Sequence, residues 1–162
     1  MKAIKTIGCA LLSLLTAGLL LTGCRGQQEV TEVTIDVVAL ADALKAAVPF
    51  EDELAEPSEA AVSNIYDLDD ADVAAKKIYV GSGATAEEIA VFEGTDEAAA
   101  GRIRAAVDQR IADQRSAFED YNPEEQEKLS DPVVVTAGRY VILCVSNDND
   151  AAEKCIDEYT GG

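Results

Sequence analysis

Histidine does not occur in the 162-residue chain. Its absence excludes Ser-His-Asp and Cys-His nucleophile systems, zinc sites with imidazole ligands and acid–base catalysis by imidazole. Tryptophan is also missing, and only three phenylalanines and five tyrosines are present. The core is therefore expected to be aliphatic, built from Val, Ile, Leu and Ala.

Basic residues are few. The chain has 13 Lys and Arg against 31 Asp and Glu, a net charge of -18. Residues 1–23 contain two of the lysines and no acid, so a chain that begins at Cys24 carries a net charge of -20. Such a domain is repelled by phosphate backbones and by anionic lipid surfaces, so we expect no nucleic-acid partner. The acidic surplus is interpreted as a solubilising surface; an acidic face for a basic partner or for cations is the alternative.

The N-terminal segment has the pattern of an export signal. Lys2 and Lys5 form a short basic start, an apolar run rich in Leu and Ala covers residues 6–22, and the small residue Gly23 follows. The run has about the minimum length that can span a bilayer, roughly 18 to 20 residues. On length alone, a spanning anchor is therefore an alternative.

The tetrapeptide Leu21-Thr22-Gly23-Cys24 favours cleavage and lipidation. It resembles the lipobox of bacterial lipoproteins, in which an aliphatic residue, a small residue and Gly or Ala precede an obligatory cysteine. We predict a signal peptide over 1–23, cleavage between Gly23 and Cys24, and lipid attachment at Cys24. An uncleaved helix and ordinary secretion are the alternatives. Two or three acyl chains would anchor the protein durably, whereas one chain is marginal.

Beyond the cysteine, residues 24–34 are predicted to be a polar tether and residues 35–162 one domain. The predicted strands come in two pairs, each joined by a turn, with helical patterns before, between and after the pairs. Single strands do not alternate with helices. This order predicts an α+β fold in which an antiparallel sheet of about four strands, formed by two hairpins, packs against helices. The predicted elements are a helix at about 35–48, a short helix from Ser58 to Tyr66, a hairpin over 76–94, a long helix capped by Thr95, a hairpin around 137–138 and a final helix capped by Asp150.

The long helix and the segments after it carry further predictions. Arginines on the helix are expected to form a solvated face with i±4 partners, such as Arg115 with Glu119; a docking face is the alternative. Residues 120–132 are predicted to be an acidic connector, and both strands of the second hairpin to lie centrally in the sheet because they are almost continuously apolar. The helix is expected to bury Ala99, Ile103, Val107, Ile111 and Phe118 and to expose Arg102, Arg104, Arg110 and Arg115.

Several segments resemble ligand sites without meeting their requirements. The acidic runs at 67–75 and 147–150 lack the central glycine of a calcium loop. The "GSGAT" segment, 81–85, lacks the lysine of a phosphate-binding loop. Cys144 and Cys155 are predicted to be buried thiols, with a disulfide as the alternative. We therefore name no catalytic, cofactor-binding or metal-ligating residue and expect no cofactor.

Three segments together carry a resemblance to a known family: "SGATAEEIAVFE", "NPEEQEKLSDPVVVTAGRYVILCVSND" and "AAEKCID". They resemble small lipoproteins of clostridia and related Gram-positive bacteria that contain one domain of unknown function, of the 4358 type. The resemblance covers roughly residues 35–160. It implies an extracytoplasmic protein tethered to the membrane and transfers no catalytic residue.

These observations favour a non-enzymatic lipoprotein of the cell envelope, a binding or accessory module with the membrane and an envelope protein as partners. A carboxylate-dependent enzyme acting on cell-wall glycans is one alternative, since two suitably spaced acids suffice for that chemistry. A small-ligand receptor for a transporter is another, although the domain is smaller than a two-lobed binding protein.

Overall fold

The computed structural model describes residues 34–161. It confirms the α+β class and the four-stranded antiparallel sheet. Two single 3-10 turns, 70–72 and 123–125, accompany the longer elements. The elements are α1 (Val37–Ala47), α2 (Glu59–Ile65), β1 (Val73–Val80), β2 (Glu88–Gly94), α3 (Glu97–Tyr121), α4 (Gln126–Ser130), β3 (Val133–Ala137), β4 (Tyr140–Val145) and α5 (Asn149–Thr160).

The strands lie in the order β1-β2-β4-β3, and all neighbours are antiparallel. Both predicted hairpins form, and they join through β2 and β4, where Ile89 pairs with Cys144. The prediction that both strands of the second hairpin are central is half wrong: β4 is central, but β3 is an edge strand. The apolar residues of β3 are still needed because α5 packs against this strand.

Both faces of the sheet are covered, which explains the continuous apolar runs of the central strands. Ile89 and Val91 of β2 face the core shared with α1 and α5. Ala90 and Phe92 face the opposite core, shared with α3. Residues of β4 alternate in the same way. All five apolar residues predicted for the buried stripe of α3 are buried: Ala99, Ile103, Val107, Ile111 and Phe118.

Two predicted helix caps are wrong by one or two positions. Asp96, not Thr95, caps α3, because the Asp96 carboxylate accepts the Ala99 amide at 2.7 Å. Asp148, not Asp150, caps α5. Asp150 already lies in the first turn of that helix, where its negative charge is favourable next to the positive end of the dipole.

The prediction that residues 120–132 form a connector is also wrong, because much of this segment is helical. Pro123 begins a 3-10 turn that leads directly into α4. Leu129 of α4 is fully buried in the core beneath α3, and this contact gives the short helix a reason to form.

The predicted signal segment 1–23, Gly23, Cys24 and the tether up to residue 33 lie outside the described residues. No helix within 34–161 is both long enough and apolar enough to cross a bilayer.

Candidate functional site

Charged side chains are buried where β2 begins, although such residues are rarely buried unless they are paired. Glu87 and Glu88 stand at the start of this strand, and Glu125 and Lys128 come from the segment before β3. With their partners they form what we call the buried charged network: Glu51, Tyr66, Glu87, Glu88, Arg110, Gln114, Glu125 and Lys128.

Lys128 holds one half of the network together. Its Nζ lies 3.3 Å from Glu87 Oε1 and 3.1 Å from Glu125 Oε2, and both carboxylates are buried. The more exposed Glu51 approaches the same nitrogen at 3.4 Å. Burial lowers the pKa of Lys128, but the hydrogen bond to Glu125 and the charges of Glu87, Glu125 and Glu51 outweigh it, so the pKa is raised. Lys128 therefore stays protonated and bridges the carboxylates.

Backbone amides complete the pairing of these acids. Glu87 accepts the amides of Glu51 and Asp52 at 3.0 and 2.9 Å. Glu125 accepts the amide of Ala86 at 2.8 Å. Each buried carboxylate therefore has both a cation and N–H donors, which is the arrangement that makes burial of a charge tolerable.

Glu88 organises the other half. Its fully buried carboxylate accepts from the Tyr66 hydroxyl. It also accepts from Arg110 Nε and Nη2 at 3.0 and 2.8 Å, and from Gln114 Nε2 at 3.2 Å. Burial first, and then the charge of Glu88, raise the pKa of Tyr66 well above its ordinary value, so the hydroxyl remains a donor.

A cleft of about 240 Å³ lies beside the network, between the turn at 81–85 and the C-terminal half of α3. Glu87, Arg110 and Gln114 contribute to its lining. Phe118 and Tyr121 add aromatic surface, and Tyr121 is 69% exposed. The cleft thus combines charged, amide and aromatic groups.

Gln114, which borders this cleft, has an unmet hydrogen-bonding group. The residue is only 4% exposed, and its Oε1 has no hydrogen-bond partner in the part of the chain that the structure describes. Its Nε2 donates to Ala86 O and to Glu88 Oε2, both at 3.2 Å. Because both neighbours of the nitrogen are acceptors, the amide orientation is fixed and Oε1 is left as an acceptor.

The turn that forms one wall of the cleft is held by hydrogen bonds to Asp52, which lies outside the hairpin. Asp52 Oδ2 accepts the Ser82 amide and the Ser82 hydroxyl, both at 2.6 Å, and the Thr85 hydroxyl at 3.4 Å. The hydrogen bonds from Ser82 lower the pKa of Asp52. Gly83 has a φ of +92°, which favours glycine. The "GSGAT" segment is therefore a strand-to-strand turn.

The predicted solvated face of α3 with i±4 partners forms only in part: Arg104 pairs with Asp108 at 2.9 Å, four positions along the helix. Arg110 belongs to the buried charged network, and Arg102 pairs with Asp72 at 2.6 Å. The predicted pair of Arg115 with Glu119 is wrong, because Arg115 donates to the Leu129 carbonyl at 2.8 Å instead. Arg115 thereby satisfies a carbonyl at the end of α4 and fastens that helix to α3.

Two further kinds of candidate from the sequence are the cysteines and the acidic runs. Cys144 and Cys155 are free, buried thiols, and burial raises the pKa of Cys144 to about 12. A thiol with so high a pKa is a poor nucleophile. Within residues 34–161, no three acidic or cysteine side chains are grouped so that they could hold a metal ion.

Sequence reasoning missed the buried charged network. The signal that was available is the pair Glu87-Glu88 directly before the apolar run of β2, since charges at the start of a buried strand need partners. A second signal is "PEEQEKL", which places Glu125 and Lys128 three residues apart on one side of a helical turn.

One family model matches the chain. It describes a domain of unknown function, DUF4358, and covers residues 46–146, which is more than half of the sequence. The matched region contains the whole network, from Glu51 to Lys128, and the whole lining of the cleft. No curated protein and no solved structure matches.

Proposed function

The chain belongs to the DUF4358 family, and from this premise we propose that it is a lipoprotein anchored at the extracytoplasmic face of the cell membrane, with the domain as a non-enzymatic binding module of the envelope. The lipobox-like Leu21-Thr22-Gly23-Cys24 sequence supports the anchor. A polar tether over residues 24–34 would hold a strongly acidic domain clear of anionic lipid, which repels it.

The observation that carries the binding role is the cleft with the unpaired Gln114 Oε1 and the exposed Tyr121 ring at its edge. A buried acceptor without a partner costs about 1–3 kcal/mol, which a bound donor would relieve. Aromatic side chains are enriched in binding surfaces because they offer a large apolar area that loses little conformational entropy.

The pairing of the acids supports a binding role over catalysis. A general acid or base must exchange its proton with a bound substrate. Glu87 is engaged by Lys128 and by two backbone amides, and Glu88 by Tyr66, Arg110 and Gln114. These bonds make both carboxylates part of the scaffold that shapes the cleft.

The anchor is tested by replacing the lipidated cysteine. In cells fed a radiolabelled or alkyne-tagged fatty acid, we expect Cys24→Ser to abolish labelling and to remove the protein from the membrane fraction. Cys9→Ser is the matched control, because Cys9 lies within the segment that is predicted to be cleaved; it should keep full labelling. Retained labelling of Cys24→Ser would refute the anchor.

The binding role is tested by crosslinking in intact cells followed by purification of the protein. We expect at least one envelope protein to be enriched over a lipidated control domain, and Tyr121→Ala to reduce its recovery at least fivefold. Val38→Ala is the matched control, since Val38 is the other large apolar side chain exposed among the described residues, at 47%, and lies on α1 away from the cleft lining. If no envelope protein is enriched, or if both variants behave alike, the cleft is not the binding surface.

A further inference from the structure

We propose that the cleft beside the buried charged network binds a primary alkylammonium group on a short aliphatic stem, the chemistry of a lysine side chain. This ligand class rests on the proposed binding function and narrows it. Three independent features of the cleft lead to it: the charge of the network, the hydrogen-bonding capacity of Gln114, and the size and apolar character of the walls.

The charge around the cleft is negative. The network holds four glutamates against Arg110 and Lys128, so two negative charges remain after pairing. Asp52 adds a further carboxylate behind the turn at 81–85, where Ser82 stabilises its charged form. The whole chain carries a net charge of -18 and so attracts cations from a distance. An anionic ligand would be repelled by this net charge, and Arg110, the cation in the cleft lining, is already paired with Glu88.

The hydrogen-bonding capacity of Gln114 calls for a donor. Its Oε1 is a buried acceptor without a partner among the described residues, and its Nε2 is already committed to Ala86 O and Glu88 Oε2. An ammonium group brings three donors and no acceptor. It can therefore donate to this oxygen and brings no acceptor atom that would itself need a donor.

The walls fit a short stem. Val80, Ala117, Phe118 and Tyr121 give the cleft apolar and aromatic surface. Aromatic faces attract cations, and the methylenes of a lysine-like stem pack on the same surface. The volume of about 240 Å³ lies below the roughly 300–1,000 Å³ of sites for drug-sized ligands. One side chain fits this space better than a whole sugar unit with its neighbours.

Arg110 also lines the cleft, but it does not cancel this preference. Its Nε and Nη2 point to Glu88, at 3.0 and 2.8 Å, and its side chain is only 20% exposed. Its charge is thereby neutralised at short range by a fully buried carboxylate.

The test is a titration of the full-length, isotope-labelled protein in detergent micelles, followed by NMR. With Nα-acetyl-lysine amide as the probe, we expect saturable shifts of the Gln114 side-chain amide and of the Gly83 backbone amide. Nα-acetyl-norleucine amide, which has the stem without the charge, should leave both signals in place. Gln114→Leu should weaken the interaction about tenfold, since a hydrogen bond to a charged group is lost.

Two further variants and two further probes complete the titration. Tyr121→Ala, at a side chain that is 69% exposed, should weaken binding at least threefold, and Val38→Ala should not change it. Butylamine separates the two sources of the group: tighter binding of acetyl-lysine amide points to a side chain in a polypeptide, and equal binding points to a free amine. No shift, an equal shift with norleucine amide, or preference for Nα-acetyl-arginine amide overturns the proposal. If crosslinking still recovers a Tyr121-dependent partner in that case, the binding module stands and only the ligand class is wrong.

Discussion

Lys128→Met will lower the free energy of unfolding by about 3–5 kcal/mol, because removing one partner of a buried ion pair leaves the other charge uncompensated. The lysine side chain is only 3% exposed, and it bridges the buried carboxylates of Glu87 and Glu125. Methionine fills a similar volume, so the loss reports the missing charge and not a cavity. Urea denaturation at pH 7, followed by circular dichroism, measures it.

Lys154→Met is the matched control for this substitution. Lys154 is exposed on α5, so its replacement should change the free energy of unfolding by less than about 0.5 kcal/mol. Equal stability of the two variants would mean that the bridge at Lys128 contributes nothing measurable.

The pH dependence identifies the cause of the loss. The pKa of Lys128 is raised above its ordinary 10.5 in the folded protein. The stabilisation from its charge is therefore complete below pH 10.5 and disappears as the pH rises through the higher pKa of the folded state. We expect the stability difference between the wild type and Lys128→Met to be constant from pH 7 to 10 and to narrow above 10.5.

The sequence predicts best those features that depend on neighbours within a few positions. The buried stripe of α3 follows from the helical spacing of Ile103, Val107 and Ile111, and all three are buried. The turn at Gly138 follows from a glycine between two apolar runs, and its φ of +57° is in the region that glycine tolerates. Periodicity and turn chemistry depend on residues that are close in sequence, so a single sequence is enough to predict them.

The buried charged network depends on contacts between distant parts of the chain. Lys128 and Glu87 are 41 positions apart, and Arg110 and Glu88 are 22 apart. Their pairing is decided by how β2, α3 and α4 pack, which no local pattern encodes. The position of Glu87 and Glu88 before the apolar run of β2 indicates that they need partners, but in a sequence with 31 acids it does not indicate which residues those partners are. The cleft could not be predicted for the same reason, because its lining comes from parts of the chain that are distant in sequence.

Helix caps fall between these extremes. The residue type was predicted correctly at the start of α5, but Asp148 caps the helix in place of Asp150. Both are aspartates two positions apart, and both suit the positive end of a helix. The backbone conformation decides which aspartate is the cap, because the cap residue must have non-helical dihedral angles. Asp148 has them, with a φ of -130° and a ψ of 79°. Where several capping residues adjoin, the sequence fixes a helix start only to within one turn.

Glu88→Leu is the second substitution with a large expected effect, a loss of about 3–5 kcal/mol in the free energy of unfolding. The fully buried carboxylate is the acceptor for Tyr66, Arg110 and Gln114 at once. Leucine would leave a guanidinium and a buried hydroxyl without their acceptor. The side chains of Arg110 and Gln114 would also lose the contact that positions them in the cleft, so binding through the cleft should fall with stability.

A double-mutant cycle separates the uncompensated charge from a mere change of shape. Replacing both members of a buried pair by apolar residues is often nearly neutral, whereas removing one is not. Glu88→Leu combined with Arg110→Leu should therefore be about 1–3 kcal/mol more stable than the sum of the two single losses predicts. Strict additivity, measured by urea denaturation of all four proteins, would show that Glu88 and Arg110 do not act as a pair. Tyr66→Phe added to Glu88→Leu should recover part of the remaining loss, because it removes the second donor that Glu88 satisfied.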